Sequence, residues 1–130
     1  MQLELVVKLR FKATHTLEEN EKIHEHEWRV DTTLIGRGKD SRVVSLPLAQ
    51  DLFRKTLDKI RHTHLNANSL LDAQTKETPT CENLCYFLLG AFSKTLAEEL
   101  PDQPWLKISQ IEVGVSEDDG YEMGAARLSI

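Results

Sequence analysis

The chain lacks a basic surplus, a long apolar run and any wealth of cysteine, and each shortage removes a class of function. Its 130 residues carry 16 Lys and Arg against 21 Asp and Glu, a formal charge of −5. Phosphate backbones are held by clustered Lys and Arg, which are scattered here, so no nucleic-acid partner is expected. No segment approaches the ~20 apolar residues that cross a bilayer, which argues against a membrane role. The start, Met1-Gln2-Leu3-Glu4-Leu5, enters an alternating pattern at once, without the basic opening and apolar stretch of a signal peptide, and a cytoplasmic protein is expected. The two cysteines, Cys81 and Cys85, are four apart on one helical face and read as free thiols packed like small apolar residues. Cys81 lies near a helix amino terminus, where a thiolate is favoured and a reactive role is the alternative.

With 40% hydrophobic and 28% charged residues, the chain has the composition of an ordinary globular protein, and residues 1–130 are expected to form one domain. Leu3 to His15 and Trp28 to Gly36 alternate as strands, joined by a polar connection from Thr16 to Ile23. Gly36-Arg37-Gly38-Lys39-Asp40 is a turn signal. Ser45 and Pro47 then open a helix carrying Leu48, Leu52, Phe53, Leu57 and Ile60 at helical spacing. Arg61 to Thr78 has little periodicity and reads as a long loop, a segment type that is often functional. Pro79-Thr80 opens a second helix, with Thr80 as its cap and Leu84, Phe87, Leu88, Ala91, Phe92 and Leu96 along its buried stripe, ending before Pro101. Ile108 to Val115 and Tyr121 to Ile130 form a second strand pair around Asp118-Asp119-Gly120. The predicted order is ββααββ, an α+β arrangement of a four-stranded antiparallel sheet with two helices on one face. Its outer strands keep unpaired backbone groups, and closing several such sheets into a shared barrel would remove those edges.

Three histidines stand out against this frame. Counting back from His15, Ala13, Phe11 and Leu9 share its face; counting forward from His24, so do His26, Trp28, Val30 and Thr32. All three imidazoles are therefore expected on the inward side. Burying them costs hydration unless both ring nitrogens find partners. Zinc on three neutral imidazoles with an open fourth position meets that need, and such a set is catalytic in type. A solvated or locally hydrogen-bonded His-x-His pair is the plainer alternative.

With these residues in hand, the sequence resembles the 6-pyruvoyltetrahydropterin synthase and 6-carboxytetrahydropterin synthase family over nearly its whole length. Phe11-Lys12-Ala13-Thr14-His15 is similar to that family's Phe-x-Ala-x-His, and His24-Glu25-His26 to its His-Gly-His. Arg61-His62-Thr63-His64-Leu65-Asn66 resembles Asp-His-x-x-Leu-Asn, and Pro79-Thr80-Cys81-Glu82-Asn83-Leu84 resembles Pro-Thr-x-Glu-Asn-Leu. The resemblance implies the tunnelling fold, trimeric rings stacked in pairs into a homohexamer, pterin sites at subunit interfaces, and zinc on His15, His24 and His26. Members act on 7,8-dihydroneopterin triphosphate, whose side-chain hydroxyls the zinc would acidify for a nearby base.

The departures from the family pattern are specific. Asn20 stands where the main branches carry a cysteine, Arg61 where an aspartate orients the catalytic histidine, and Val115 where a glutamate anchors the pterin, unless a register slip brings in Glu117. Glu25 replaces the glycine between the paired histidines and should point away from the metal. Glu21-Lys22-Ile23-His24 has the Glu-x-x-His form of a third branch, in which a glutamate replaces the cysteine, and a partly dry pocket would move its pKa up toward the range of a general base. The simpler reading of Glu21 is one acid in the solvated run Glu18-Glu19-Asn20-Glu21. His62 and His64 are both placed for proton transfer, and the resemblance favours His62.

These readings converge on a zinc-dependent lyase-type enzyme acting on a reduced pterin. Its metal ligands are His15, His24 and His26, its candidate base Glu21 and its candidate acid His62. Thr80, Glu82 and Glu117 are substrate-binding candidates, although Thr80 and Glu82 are equally a helix cap and a first-turn acid. Two alternatives follow from the departures: a metal-binding paralogue without turnover that serves as an oligomeric binding protein, and a zinc protein that takes a different heterocycle.

Overall fold

Alternation of apolar and charged side chains draws the first two segments into a hairpin of long strands. In the computed structural model, which describes residues 2–18, 21–36 and 42–130, β1 runs Glu4–Thr14 and β2 Glu25–Ile35. Val7, Leu9, Phe11 and Ala13 of β1 are buried, as are His26, Trp28, Val30 and Thr32 of β2. β2 begins three residues earlier than the apolar pattern indicated, because Thr14 pairs with Glu25 and Ala13 with His26. The turn signal at 37–40 lies outside the described residues.

A helix, α1 (Leu46–Asp58), follows, with Pro47 in its first turn and Ala49, Leu52, Phe53 and Leu57 buried. Ser45 occupies the cap position, but its side chain makes no capping bond. The segment read as a long loop contains a 3-10 turn, Leu65–Ala67, and a short helix, α2 (Ala73–Glu77). The long helix α3 (Cys81–Glu99) starts where Thr80 predicted, its hydroxyl accepting from the Asn83 amide at 3.1 Å. Two strands, β3 (Lys107–Ser116) and β4 (Glu122–Ser129), complete a four-stranded antiparallel sheet in the order β1-β2-β3-β4. Gly120, at a φ of 86°, supplies the left-handed residue of the turn between them.

The helices lie on one face of the sheet, α1 against β1 and α3 against β3 and β4. Trp28 and Phe92 are fully buried in the core between them, Trp28 beside Phe11 and Phe92 stacked on Phe53 at 4.2 Å. A register shift between Thr33 and Leu34 lets Thr32, Thr33 and Leu34 all bury in succession, which strict alternation forbids. The other face is charged. Arg29 lies at its centre, bonded to Asp31 at 2.7 Å and Glu122 at 2.8 Å, and Gly114 leaves the space these side chains occupy.

Candidate metal centre

The chain leaves β1 at His15 and is fixed there from outside the sheet. Asn66 grips the next residue at two points: its Oδ1 accepts from the Thr16 amide at 2.8 Å, and its Nδ2 donates to the Thr16 carbonyl at 2.9 Å. Thr14 donates its amide to the Thr63 carbonyl at 3.0 Å. Asn66 of the 3-10 turn and Thr63 just before it therefore brace the chain on either side of His15.

His15 and His26 are buried and His24 is half-buried. Their rings converge, with centres 5.0 Å apart for His15 and His26 and 4.2 Å for His24 and His26. Imidazoles bound to one zinc at about 2.1 Å and tetrahedral angles place their ring centres about 5 Å apart, so the spacing suits a shared ion. The hydrogen bonds fit as well. Nδ1 of His15 lies 2.8 Å from the Pro79 carbonyl, that of His26 3.2 Å from the Ser116 carbonyl, and that of His24 3.2 Å from the Lys22 carbonyl. A carbonyl only accepts, so in the neutral form of each ring Nδ1 carries the proton and Nε2 keeps a lone pair, the orientation that metal-ligating histidines adopt. Burial lowers the His15 pKa against the raising effect of the Pro79 bond, which favours the neutral ligand form. Among the described residues, no three His, Cys, Asp or Glu side chains stand at metal-holding distances, so the trio converges without being closed.

These rings line a cavity of about 510 Å³ together with Leu17, Glu21, Cys81, Glu82, Val115 and Glu117. Glu21 does not behave as anticipated. Its carboxylate accepts from the backbone amides of Leu17 at 2.7 Å and Glu18 at 3.2 Å, and these bonds hold its pKa below the ordinary carboxylate value. The expected upward shift is thus reversed, because the side chain is exposed and anchored in a turn. Glu19 and Asn20, the position of the missing thiol, lie outside the described residues. Glu82 and Glu117 both reach the cavity, as does Val115, whereas Thr80 is engaged as the helix cap.

Cys81 was legible as part of the Pro79-Thr80-Cys81-Glu82 run but not as a wall of the histidine cavity. Its thiol is pushed up to about 11, chiefly by burial, so the helix amino terminus does not make it a thiolate. Met123, Gly124 and Ala125 of β4 also line the cavity and had no signal in the sequence.

His62 stands elsewhere. It lines a separate groove with Arg10, Phe11, Lys12, Glu27 and Arg61, and a single chain does not bring it to the histidine trio. Its φ of 56° is left-handed, unlike that of any other described non-glycine residue, at a cost of about 1 kcal/mol. At position 61 stands an arginine, and a carboxylate reaches His62 from β2 instead: His62 Nδ1 lies 3.0 Å from Glu25 Oε2. His64 Nδ1 lies 2.8 Å from the Thr14 hydroxyl.

Comparison with known proteins bears on the family and the fold. The family described as 6-pyruvoyl tetrahydropterin synthase matches residues 4–125. No curated protein matches the chain. Among solved structures, the 6-pyruvoyl tetrahydropterin synthase of Caenorhabditis elegans superposes with a TM-score of 0.72 at 13% identity, over 100% of this chain and 96% of that one. An uncharacterized protein from Wolinella succinogenes superposes with a TM-score of 0.63 at 14% identity, over 99% and 98% of the two chains. At such identities the structural likeness speaks for the fold, and the family match covers nearly all of the sequence. The chain therefore belongs to the 6-pyruvoyl tetrahydropterin synthase family and has its tunnelling fold.

Proposed function

We propose that this protein is a zinc-dependent lyase-type enzyme acting on a reduced pterin such as 7,8-dihydroneopterin triphosphate. The observation that supports it best is the common hydrogen-bond pattern of His15, His24 and His26. Each Nδ1–H faces a backbone carbonyl, and each Nε2 has no hydrogen-bond partner among the described residues, on a ring that lines one cavity. Zinc bound there would supply Lewis acidity toward the substrate's side-chain hydroxyls.

The chain's own residues would bind and move protons around that centre. Glu82 and Glu117 would accept from the pterin's N–H donors, with Thr80 holding the helix turn that presents Glu82. Glu21, ionised at neutral pH, would take a proton from the substrate side chain, and His62 would return one. Because His62 lies outside the cavity of its own chain, it would serve a site formed with a neighbouring subunit in a trimer-based homohexamer. A cytoplasmic enzyme is the setting that fits this reading.

Purified protein should contain stoichiometric zinc and convert dihydroneopterin triphosphate, as measured by elemental analysis and product chromatography. His26→Ala should lose the metal, and Glu21→Gln should lower kcat by about 10²- to 10⁴-fold with zinc retained. A zinc-loaded protein that leaves the pterin unchanged would exclude this reading. Two observations favour a second one, a repurposed metal-binding paralogue that takes another heterocycle or serves as an oligomeric binding protein. Val115 presents an apolar wall to the cavity, and the Glu21 carboxylate is already engaged by two amides. A thermal-shift screen in which pterins fail and another heterocycle stabilises the protein would select it.

A further inference from the structure

The segment that follows α1 is fastened to the free edge of β1. The His62 amide donates to the Lys12 carbonyl, the Thr14 amide donates to the Thr63 carbonyl, and Thr14 and His64 form a parallel bridge. Thr14 is also the cross-strand partner of Glu25. Held this way, the His62 ring reaches across the outer face of the hairpin, and its Nδ1 meets the Glu25 carboxylate at 3.0 Å. Glu25 is exposed, and exposed ion pairs contribute little to folding stability, so the contact has no large stabilising role. What it does control is which ring nitrogen carries the proton.

We infer that Glu25 is a positioning residue for His62. A carboxylate accepts and does not donate, so Nδ1 of the neutral ring keeps the proton and Nε2 becomes the proton acceptor at the groove. Arg10, Lys12 and Arg61 line the same groove. Arg10 is bonded to Glu27 and Arg61 to Asp58, while the hydrogen-bond partner of the His62 ring is Glu25, the group that orients it. This assignment rests on the proposal that His62 moves a proton in pterin turnover, but its geometry can be tested separately.

The test uses nitrogen-labelled full-length protein, with the ring tautomer of His62 read by long-range proton-nitrogen spectra at a pH where the ring is neutral. Wild type should show the proton on Nδ1. Glu25→Ala should move it to Nε2, the commoner form of a free imidazole, while Glu25→Gln, whose amide oxygen still accepts, should keep it on Nδ1. With dihydroneopterin triphosphate as substrate, Glu25→Ala should lower kcat about tenfold or more at constant KM, and Glu25→Gln should restore most of it. A wild-type ring protonated on Nε2 overturns the inference, and this result needs no variant to fold. So does a Glu25→Ala protein with unchanged tautomer and kcat. If the tautomer follows Glu25 while even wild type fails to convert the pterin, the positioning role stands and the pterin reading falls.

Discussion

At Cys81 two influences on one thiol oppose each other. A helix amino terminus favours the thiolate, whereas burial among apolar neighbours disfavours it, and here burial prevails with a pKa of about 11. Near neutral pH, only on the order of one part in 10⁴ is then ionised. Iodoacetamide should therefore label Cys81 in the folded protein far more slowly than in the denatured chain, with a rate that climbs as pH approaches 11, followed by intact mass. Labelling at neutral pH as fast as a free thiol would refute the burial argument. At this scale the sequence was informative wherever a period of two applied. Strand alternation placed His15 and His26 inward correctly, because pleating leaves a side chain no third option. The Glu25–His62 contact was illegible, because it depends on a left-handed φ at a non-glycine residue and on two segments far apart in the chain.

Among the elements, α2 shows what a periodicity argument misses. Five residues make little more than one turn, too few to display an apolar stripe, yet the helix is well specified by its cap. Asp72 accepts from the Thr75 amide at 3.2 Å and the Thr75 hydroxyl at 2.6 Å, with Thr75 itself buried. The hydroxyl bond above all lowers the Asp72 pKa. Because the folded-state value lies below the unfolded one, the cap contributes fully above the unfolded pKa of about 3.9 and is lost as pH falls through the folded value. Asp72→Ala should cost about 1 kcal/mol at pH 7 by urea denaturation, and the gap to wild type should close in acid below about pH 4. A gap that persists unchanged in acid would show that Asp72 acts otherwise than as a charged cap. The two long helices were legible because their apolar spacing and their Pro and Thr starts agree, whereas the brace supplied by Asn66 could be seen only once Thr16 was in place.

For the molecule as a whole, the open question is the two sheet edges. β1 and β4 are the outer strands, and β4 keeps most of its residues exposed, Met123 among them at 45%. The edge of β4, and that of β1 ahead of the Lys12–Thr14 stretch fastened to residues 62–64, invite pairing with another chain. The homo-oligomer proposed above should appear as a trimer or hexamer by analytical ultracentrifugation, and Met123→Lys should shift it toward single subunits with an unchanged far-ultraviolet spectrum. A monomeric wild type would remove the shared-barrel proposal and, with it, the route by which His62 would reach the proposed metal site. The antiparallel order followed from alternation and turns, but nothing in the sequence marked β4 as a wall of the cavity, since a mostly exposed strand has no clean alternation to read.

The packing around Trp28 has an optical consequence. Its indole is fully buried, donates to the Ala13 carbonyl at 3.2 Å and meets the His15 ring edge-on at 4.9 Å, whereas Trp105 is 39% exposed on the far side of the fold. One fluorophore thus touches the histidine trio while the other faces water and answers to soluble quenchers. With the Trp105 signal quenched, emission from Trp28 would report any ion that the proposed site takes up at His15, requiring neither a label nor a substrate.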